Sequence, residues 1–149
     1  MQASEDFNSD RHVFRQLAEL YAQAADRNRP ELLDAILTED AIVEGPGFRL
    51  VGRAEIRGIS AMLQQRYRLT RHVVENQTVT VEGKQAQGET YCTARHLYDD
   101  PQAGAQVLVW YIRYQDQFVL VDGRWRFAHR HLVLDWTEIC SATVPVPLR

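Results

Sequence analysis

The spacing of apolar residues divides the chain into a helical first part and a longer β second part. In the first part, apolar residues recur three and four positions apart, which is the period of an amphipathic helix. This pattern predicts a first helix that begins near Ser9 and Asp10, both of which are suitable capping residues. The apolar positions of this helix are Val13, Phe14, Leu17, Leu20, Tyr21, Ala24 and Ala25.

Three shorter elements are predicted after the first helix. Pro30 suits the first turn of a second helix that ends near Thr38. Proline has no amide hydrogen, and the amide hydrogens of the first helical turn have no partner within the helix in any case. A Gly-Pro-Gly turn at 45–47 between apolar runs predicts a hairpin over residues 41–51. A third helix follows and ends in the basic stretch 66–71. Its apolar positions are Ile56, Ile59, Met62 and Leu63.

From His72 onward the apolar period changes to two, which is typical of β-strands. Turn signals at 82–83, 99–104 and 122–123 divide this part into four long strands of a meander. Three N-terminal helices followed by a meander predict an α+β fold, a curved antiparallel sheet with the helices on one face. Such a fold forms a cone whose interior suits a small molecule. We expect a single domain over 1–149, with a core at about 11–136 and an extended tail at 137–149.

Composition limits the class of protein and its partners. The 149 residues are 45% hydrophobic and 25% charged, which is typical of one globular domain. The net charge of −3 leaves no basic excess for nucleic acid. No apolar run approaches the roughly 20 residues that span a bilayer, and the N-terminal sequence lacks the pattern of a signal peptide. We therefore expect a cytoplasmic protein with no nucleic-acid or membrane partner.

The cysteines and three of the histidines do not indicate a metal site. Cys92 and Cys140 lack a second Cys or a His at ligand spacing, and both are interpreted as small buried residues. His96, His129 and His131 are interpreted as structural or surface residues, because no carboxylate or Cys lies at ligand spacing from them. We expect neither a metal nor another cofactor.

Three local strings, together with the order of elements, resemble a known family. The strings are Leu-Tyr to Ala-Asp at 20–26, Thr-Arg-His-Val-Val at 70–74 and Asp-Gly-Arg-Trp-Arg-Phe at 122–127. From about 11 to 136 the chain resembles the SnoaL-like, or nuclear transport factor 2-like, superfamily, and within it the scytalone dehydratase branch. The resemblance implies a cone-shaped α+β fold and elimination chemistry that needs no cofactor.

The resemblance also implies roles for four residues. Asp26 and His72 match the Asp/His pair of that branch, in which the carboxylate orients the histidine base. Tyr21 and Arg130 match residues of bile acid 7α-dehydratase, where they would polarise the substrate oxygen and stabilise negative charge. Within the branch, the pattern of bile acid 7α-dehydratase is the nearest to this chain. Scytalone dehydratase is less similar, because it has a tyrosine at the position where this chain has Ala25.

Each of these residues also has a structural interpretation. Asp26 could cap the next helix, His72 could be a hydrogen-bonded strand residue, and Tyr21 could belong to the core. In an unbroken strand Arg130 faces away from Phe127. Either that second face is the concave one, or a bulge intervenes, or Arg130 is a surface charge.

Aromatic residues of the strand at 106–121 suit a flat, ring-containing substrate. Trp110, Tyr114 and Phe118 lie on one face and Tyr111 on the other, and either face could line the cavity. The predicted function is a cofactor-independent lyase, specifically a dehydratase, or an isomerase. Its substrate would be a cyclic or polycyclic small molecule, and His72 would be the catalytic base.

Two other functions fit the same resemblance, because a fold does not determine function. One is a non-catalytic ligand-binding or assembly module, like the small subunits of ring-hydroxylating dioxygenases. The other is a polyketide cyclase. Related proteins are usually dimers or trimers, so we expect a homo-oligomer, with a trimer slightly favoured. The extended, Pro-containing segment 143–147 would reach a neighbouring subunit or be disordered.

Overall fold

One long helix, several short helices and six strands make up the chain. The computed structural model describes residues 2–146, with side chains from residue 11 onward. The helical elements are α1 (Gln2–Asp26), a 3₁₀ turn (Pro30–Leu32) leading into α2 (Leu33–Ile36), α3 (Arg53–Ile56) and α4 (Ile59–Arg66). The strands are β1 (Leu37–Gly45), β2 (Phe48–Val51), β3 (Leu69–Glu82), β4 (Gln85–Asp100), β5 (Gly104–Val121) and β6 (Arg124–Ser141).

The strands form one curved, open sheet in the order β2-β1-β6-β5-β4-β3. Neighbouring strands are antiparallel except for β1 and β6, which pair in parallel. The sheet is therefore mixed, because the β1–β2 hairpin joins the meander alongside its last strand. The expected α+β fold, with helices packed on a curved sheet, is confirmed.

Several boundaries differ from those expected. Helix α1 begins at Gln2, so Ser9 and Asp10 lie inside it and not at its start. The reason is that residues 2–10 contain neither Gly nor Pro, and nothing interrupts helix propagation. The third predicted helix is divided into α3 and α4, with the poor helix former Gly58 between them.

The two ends of the meander are longer than expected. Strand β3 begins at Leu69, three residues before His72. Strand β6 continues to Ser141, which pairs with Gln106 of β5, so residues 137–141 belong to the sheet and not to a tail. Met1 and residues 147–149, which the predicted domain and tail include, lie outside the described residues.

The buried face of α1 crosses the inner face of the sheet. Near its middle, the Phe14 ring lies 4.6 Å from the ring of Phe118. Two turns later, the Tyr21 ring lies 6.1 Å from the rings of both Tyr114 and Phe127. Burying side chains of this size stabilises a fold by about 1.5–3 kcal/mol each. This packing carries the C-terminal end of α1 towards the start of β3. None of the helices in residues 2–146 has the length and apolar composition required to cross a bilayer.

Candidate active site

Asp26 and His72 meet where α1 ends against β3. The ring Nδ1 of His72 lies 2.6 Å from Oδ1 of Asp26, and the backbone N–H of His72 donates to Oδ2 at 2.8 Å. The Thr70 hydroxyl donates to Oδ1 at 2.9 Å. A carboxylate accepts hydrogen bonds, so Nδ1 carries a proton. In the neutral imidazole, Nε2 then has the free lone pair.

The surroundings of Asp26 keep its carboxylate ionised. Burial opposes ionisation, but the hydrogen bonds and charge of His72, with the Thr70 hydroxyl, hold the pKa of Asp26 below its ordinary value. The carboxylate does not cap the following 3₁₀ turn, whose capping residue Arg29 has no side-chain capping bond. The bonds of Asp26 are thus directed at β3.

A β-bulge in β6 decides the direction of Arg130. Phe118 of β5 pairs with Phe127, while Ala128 has no partner in the register of the two strands. One extra residue reverses the alternation of a strand. Phe127 and Arg130 therefore both face the interior, where they are 0% and 1% exposed. Of the three alternatives for Arg130, the structure has the bulge.

Arg130 is held by a carboxylate and by aromatic rings. Its Nε and Nη2 lie 2.8 and 3.3 Å from the two carboxylate oxygens of Asp116. Its guanidinium carbon lies 3.8, 4.4 and 4.5 Å from the ring centroids of Tyr114, Phe127 and Tyr21. Burial favours the neutral form, yet Asp116 holds the pKa of Arg130 above its ordinary value. The result is a buried cation whose position is closely defined.

Three of the four predicted catalytic residues line one small cavity. Tyr21, His72 and Arg130 lie in its wall, while Asp26 lies behind His72. The other lining residues are Ala18, Ala22, Val74, Thr90, Cys92 and Tyr114. Burial raises the pKa of Tyr21 to about 12, so its hydroxyl remains a hydrogen-bond donor near neutral pH. The cavity has about 200 Å³ of empty space, which includes space open to solvent, and it is too tight to admit a water molecule. A ligand must therefore displace side chains to enter.

His96 lies beside this pair, although the sequence favoured a structural or surface role for it. Its ring centroid is 6.0 Å from that of His72, in an edge-to-face arrangement. Its Nδ1 donates to the carbonyl of Leu108 at 2.9 Å, and burial lowers its pKa, so Nε2 of the neutral ring carries a lone pair. The signal in the sequence was the strand phase, since His96 alternates in step with Cys92, which also faces the cavity.

Of the four predicted aromatic pocket residues, one lines the cavity and one lies next to it through His96. Tyr114 lines the cavity beneath Arg130. Trp110 contacts His96, with ring centroids 5.6 Å apart.

The other two aromatic residues lie elsewhere. Phe118 is part of the core between Phe14 and Phe127 and does not line this cavity. Tyr111 is on the opposite face of the sheet, where its ring stacks on Trp136 at 4.2 Å. The alternation of β5 places Tyr111 on the face opposite Trp110, Tyr114 and Phe118, and α1 packs on the face of the latter three.

The remaining candidate ligands do not come together. Cys92 is buried, as expected, and burial raises the pKa of its thiol to about 12. Cys140 is exposed, contrary to expectation, near the end of β6. His129 lies 3.3 Å from Glu44, and His131 is exposed. Within the described residues, no three His, Cys, Asp or Glu side chains are arranged to hold a metal ion.

Proteins of known structure share this architecture. A protein from Novosphingobium aromaticivorans, described provisionally as a scytalone dehydratase, is 25% identical over 95% of this chain and 93% of its own, with a TM-score of 0.77. Hexachlorocyclohexane dehydrochlorinase LinA-type3 from Novosphingobium barchaimii is 16% identical over 97% and 99% of the two chains, with a TM-score of 0.81. A cystatin-like protein of unknown function from Nostoc punctiforme is 24% identical over 85% and 91%, with a TM-score of 0.66. For the last two proteins, the similarity to this chain is one of fold.

The family is shown by a match to the sequence itself. Among curated proteins, none matches significantly. The model of the SnoaL-like domain family matches residues 8–131, which include Asp26, His72 and Arg130. As the resemblance indicated, the chain belongs to the SnoaL-like domain family, within the nuclear transport factor 2-like superfamily.

Proposed function

We propose that this protein is a cofactor-independent lyase of the dehydratase type that acts on a cyclic small molecule. The family and its structural neighbours support a lyase or isomerase activity on small molecules in general. The observation that carries the finer proposal is the 2.6 Å contact between Asp26 and His72 at the wall of the cavity. This contact leaves one nitrogen of a histidine whose side chain is only 9% exposed available to a ligand.

The proposed elimination uses His72 as the base. Its Nε2 takes a proton from a carbon next to a carbonyl group, and the C–H electron pair forms the enolate. The enolate then expels hydroxide from the neighbouring carbon, giving the new double bond. The departing hydroxide takes the proton from the His72 imidazolium and leaves as water. Asp26 stabilises the imidazolium and holds its ring in place.

Tyr21 and Arg130 stabilise the enolate oxygen in this proposal. Tyr21 stays protonated and donates, and Arg130 supplies a fixed positive charge in a site with little water. One such donor typically contributes a factor of about 100–1,000 in rate. His96 accepts a hydrogen bond from a substrate hydroxyl through its free Nε2, since Nδ1 is committed to Leu108. Tyr114, which lines the cavity, and Trp110, which packs against His96, supply aromatic contacts for a ring.

The test is dehydration of small ring β-hydroxy ketones, for which 3-hydroxy-1-tetralone is a convenient probe because its product, 1-naphthol, absorbs strongly. His72→Ala and Asp26→Asn are each expected to lower turnover at least a hundredfold, since a positioned base contributes about 10²–10⁴. His129→Ala is the matched control, a histidine on the far side of β6 from Arg130. Near-normal turnover in His72→Ala would refute the proposal.

The tightness of the cavity favours a second candidate, the non-catalytic binding or assembly module. A cavity too tight for water suits a role in which the fold contributes a surface to a larger assembly. This candidate predicts that the wild type dehydrates no ring β-hydroxy ketone and that His72→Ala assembles normally. Sizing of the tagged protein after purification from its native host would separate the candidates, because a different partner chain is expected in this case.

A further inference from the structure

A second small cavity adjoins the first at Tyr21, which lines both. It has about 180 Å³ of empty space between α1, α2 and α4 and, like the first cavity, does not admit a water molecule. Its other lining residues are Ala24, Ala25, Leu33, Ile59 and Ser60. A ligand group next to Tyr21 must therefore displace side chains to extend into this cavity.

Ser60 brings a hydroxyl to the wall of this second cavity, and the part of the chain that the structure describes offers that hydroxyl no partner. It is 2% exposed, and its Oγ has no hydrogen-bond partner among the described residues. Of the eight residues of α4, all of which the structure describes, Ser60 alone is buried. Buried hydroxyls are normally hydrogen-bonded, and an unpaired one is destabilising. An alanine would fit the same place without that cost.

The chemistry of the lining restricts what Ser60 could bind. No charged side chain lines this cavity, so an ionised ligand group would lose its hydration without a compensating partner. A serine hydroxyl both donates and accepts. Its natural partners here are a neutral hydroxyl or carbonyl oxygen on an otherwise apolar ring.

We propose that Ser60 is a specificity-determining residue that hydrogen-bonds a neutral hydroxyl or carbonyl oxygen of the substrate, in a subsite separated by Tyr21 from His72. The subsite serves the substrate of the proposed lyase, and so the inference rests on the proposed function. It narrows the substrate class to ring compounds that carry a further uncharged oxygen besides the carbonyl and the hydroxyl that take part in the elimination. Ser60 selects the substrate and takes no part in proton transfer.

Phenol and benzene are suitable probes, because they differ only by the hydroxyl. Binding to the whole protein is followed by NMR of the methyl groups of Leu33 and Ile59, which report on this cavity. In Ser60→Ala the preference for phenol over benzene is expected to fall about tenfold, which corresponds to about 1.4 kcal/mol. Ser60→Cys, whose thiol is a weak donor of similar size, is expected to lose the preference for phenol as Ser60→Ala does. Ser141→Ala is the matched control at the end of β6.

Three results would overturn the subsite. The first is a fall in preference of less than fivefold in Ser60→Ala. The second is phenol that leaves the Leu33 and Ile59 methyl signals of the wild type unmoved. The third is a lower melting temperature for Ser60→Ala, which would mean that the hydroxyl has a structural partner. Because binding is measured without turnover, these results are separate from the His72→Ala test of the reaction.

Discussion

Asp26 controls which ring nitrogen of His72 carries the proton. Its two oxygens accept from the ring and backbone of His72 and from Thr70, which are three donors in all. An asparagine would place an N–H group against one of these donors. The ring would then turn or change tautomer, and Nε2 would no longer present a lone pair to the cavity. At the residue scale, the site depends on this one carboxylate.

The lowered pKa of Asp26 predicts a pH-dependent contribution to stability. Because the folded-state pKa lies below the ordinary value of 3.8, the contribution is complete above that value and is lost as the pH falls through the folded-state pKa. Asp26→Asn is expected to cost about 1.5–3 kcal/mol of unfolding free energy at pH 7, as for hydrogen bonds to charged groups. Urea denaturation of both proteins between pH 7 and pH 2 would measure the difference.

The exposed residue Asp40 provides the control for that experiment. Asp40→Asn should leave the unfolding free energy unchanged across the same pH range, since surface substitutions are usually within about 0.5 kcal/mol. A cost of Asp26→Asn that stays constant down to pH 2 would contradict the assigned role of the carboxylate.

At the scale of elements, strands β5 and β6 create the interior charge. Asp116 and Arg130 are direct partners across the two strands, and both side chains are almost fully buried. The Thr90 hydroxyl of β4 also donates to Asp116, at 2.9 Å. A buried pair of this kind does not by itself make a fold more stable, because both charges lose their hydration. The pair is better explained by its effect on position, because Asp116 holds Arg130 in the wall of the cavity.

A double-mutant cycle would test the ion pair that Asp116 of β5 forms with Arg130 of β6. Arg130→Met and Asp116→Leu each leave one buried charge without its partner, and each is expected to cost about 3–5 kcal/mol. The double variant removes both charges and should cost much less than the sum of the two. Urea denaturation gives all three values. Additive costs would mean that the two side chains do not interact as the structure indicates.

At the scale of the whole molecule, the sheet has two unlike faces. The helices cover the inner face and the cavity. The outer face has exposed apolar side chains, among them Val73, Tyr91 and Trp136. A cluster of exposed apolar residues on one face is typical of an interaction surface. The homo-oligomer expected from the sequence remains a prediction, and this outer face is the interface that we expect for it.

Light scattering would test the oligomer. The wild type is expected to have a mass two or three times the 17.2 kDa of the chain. Trp136→Lys, at a position that is 54% exposed, should shift the mass towards that of one chain, because burying a lysine in an apolar interface is unfavourable. Met62→Lys, an exposed change on α4, is the control. A wild type that has the mass of one chain at micromolar concentration would exclude the oligomer.

The local pattern was sufficient for most of the fold and for part of the site. The change of apolar period near His72 predicted where helices give way to strands, and the turn signals at 82–83 and 122–123 lie at the observed turns. Asp26 and His72 were candidates because their residue types and surrounding strings resemble a family. The extent of α1 and the parallel β1–β6 pair were not predicted, since neither has a local marker.

The class of fold could be read from the sequence, because periodicity and turns are local properties, and the family resemblance made Asp26 and His72 candidates for the acid/base pair. The tertiary structure alone decided that Arg130 faces the cavity, that Tyr111 does not, and that His96 and Ser60 lie beside the candidate site. The physical reason is that strand pairing sets these directions. An unpaired Ala128 reverses a face of β6, and this is visible only once β5 lies beside it.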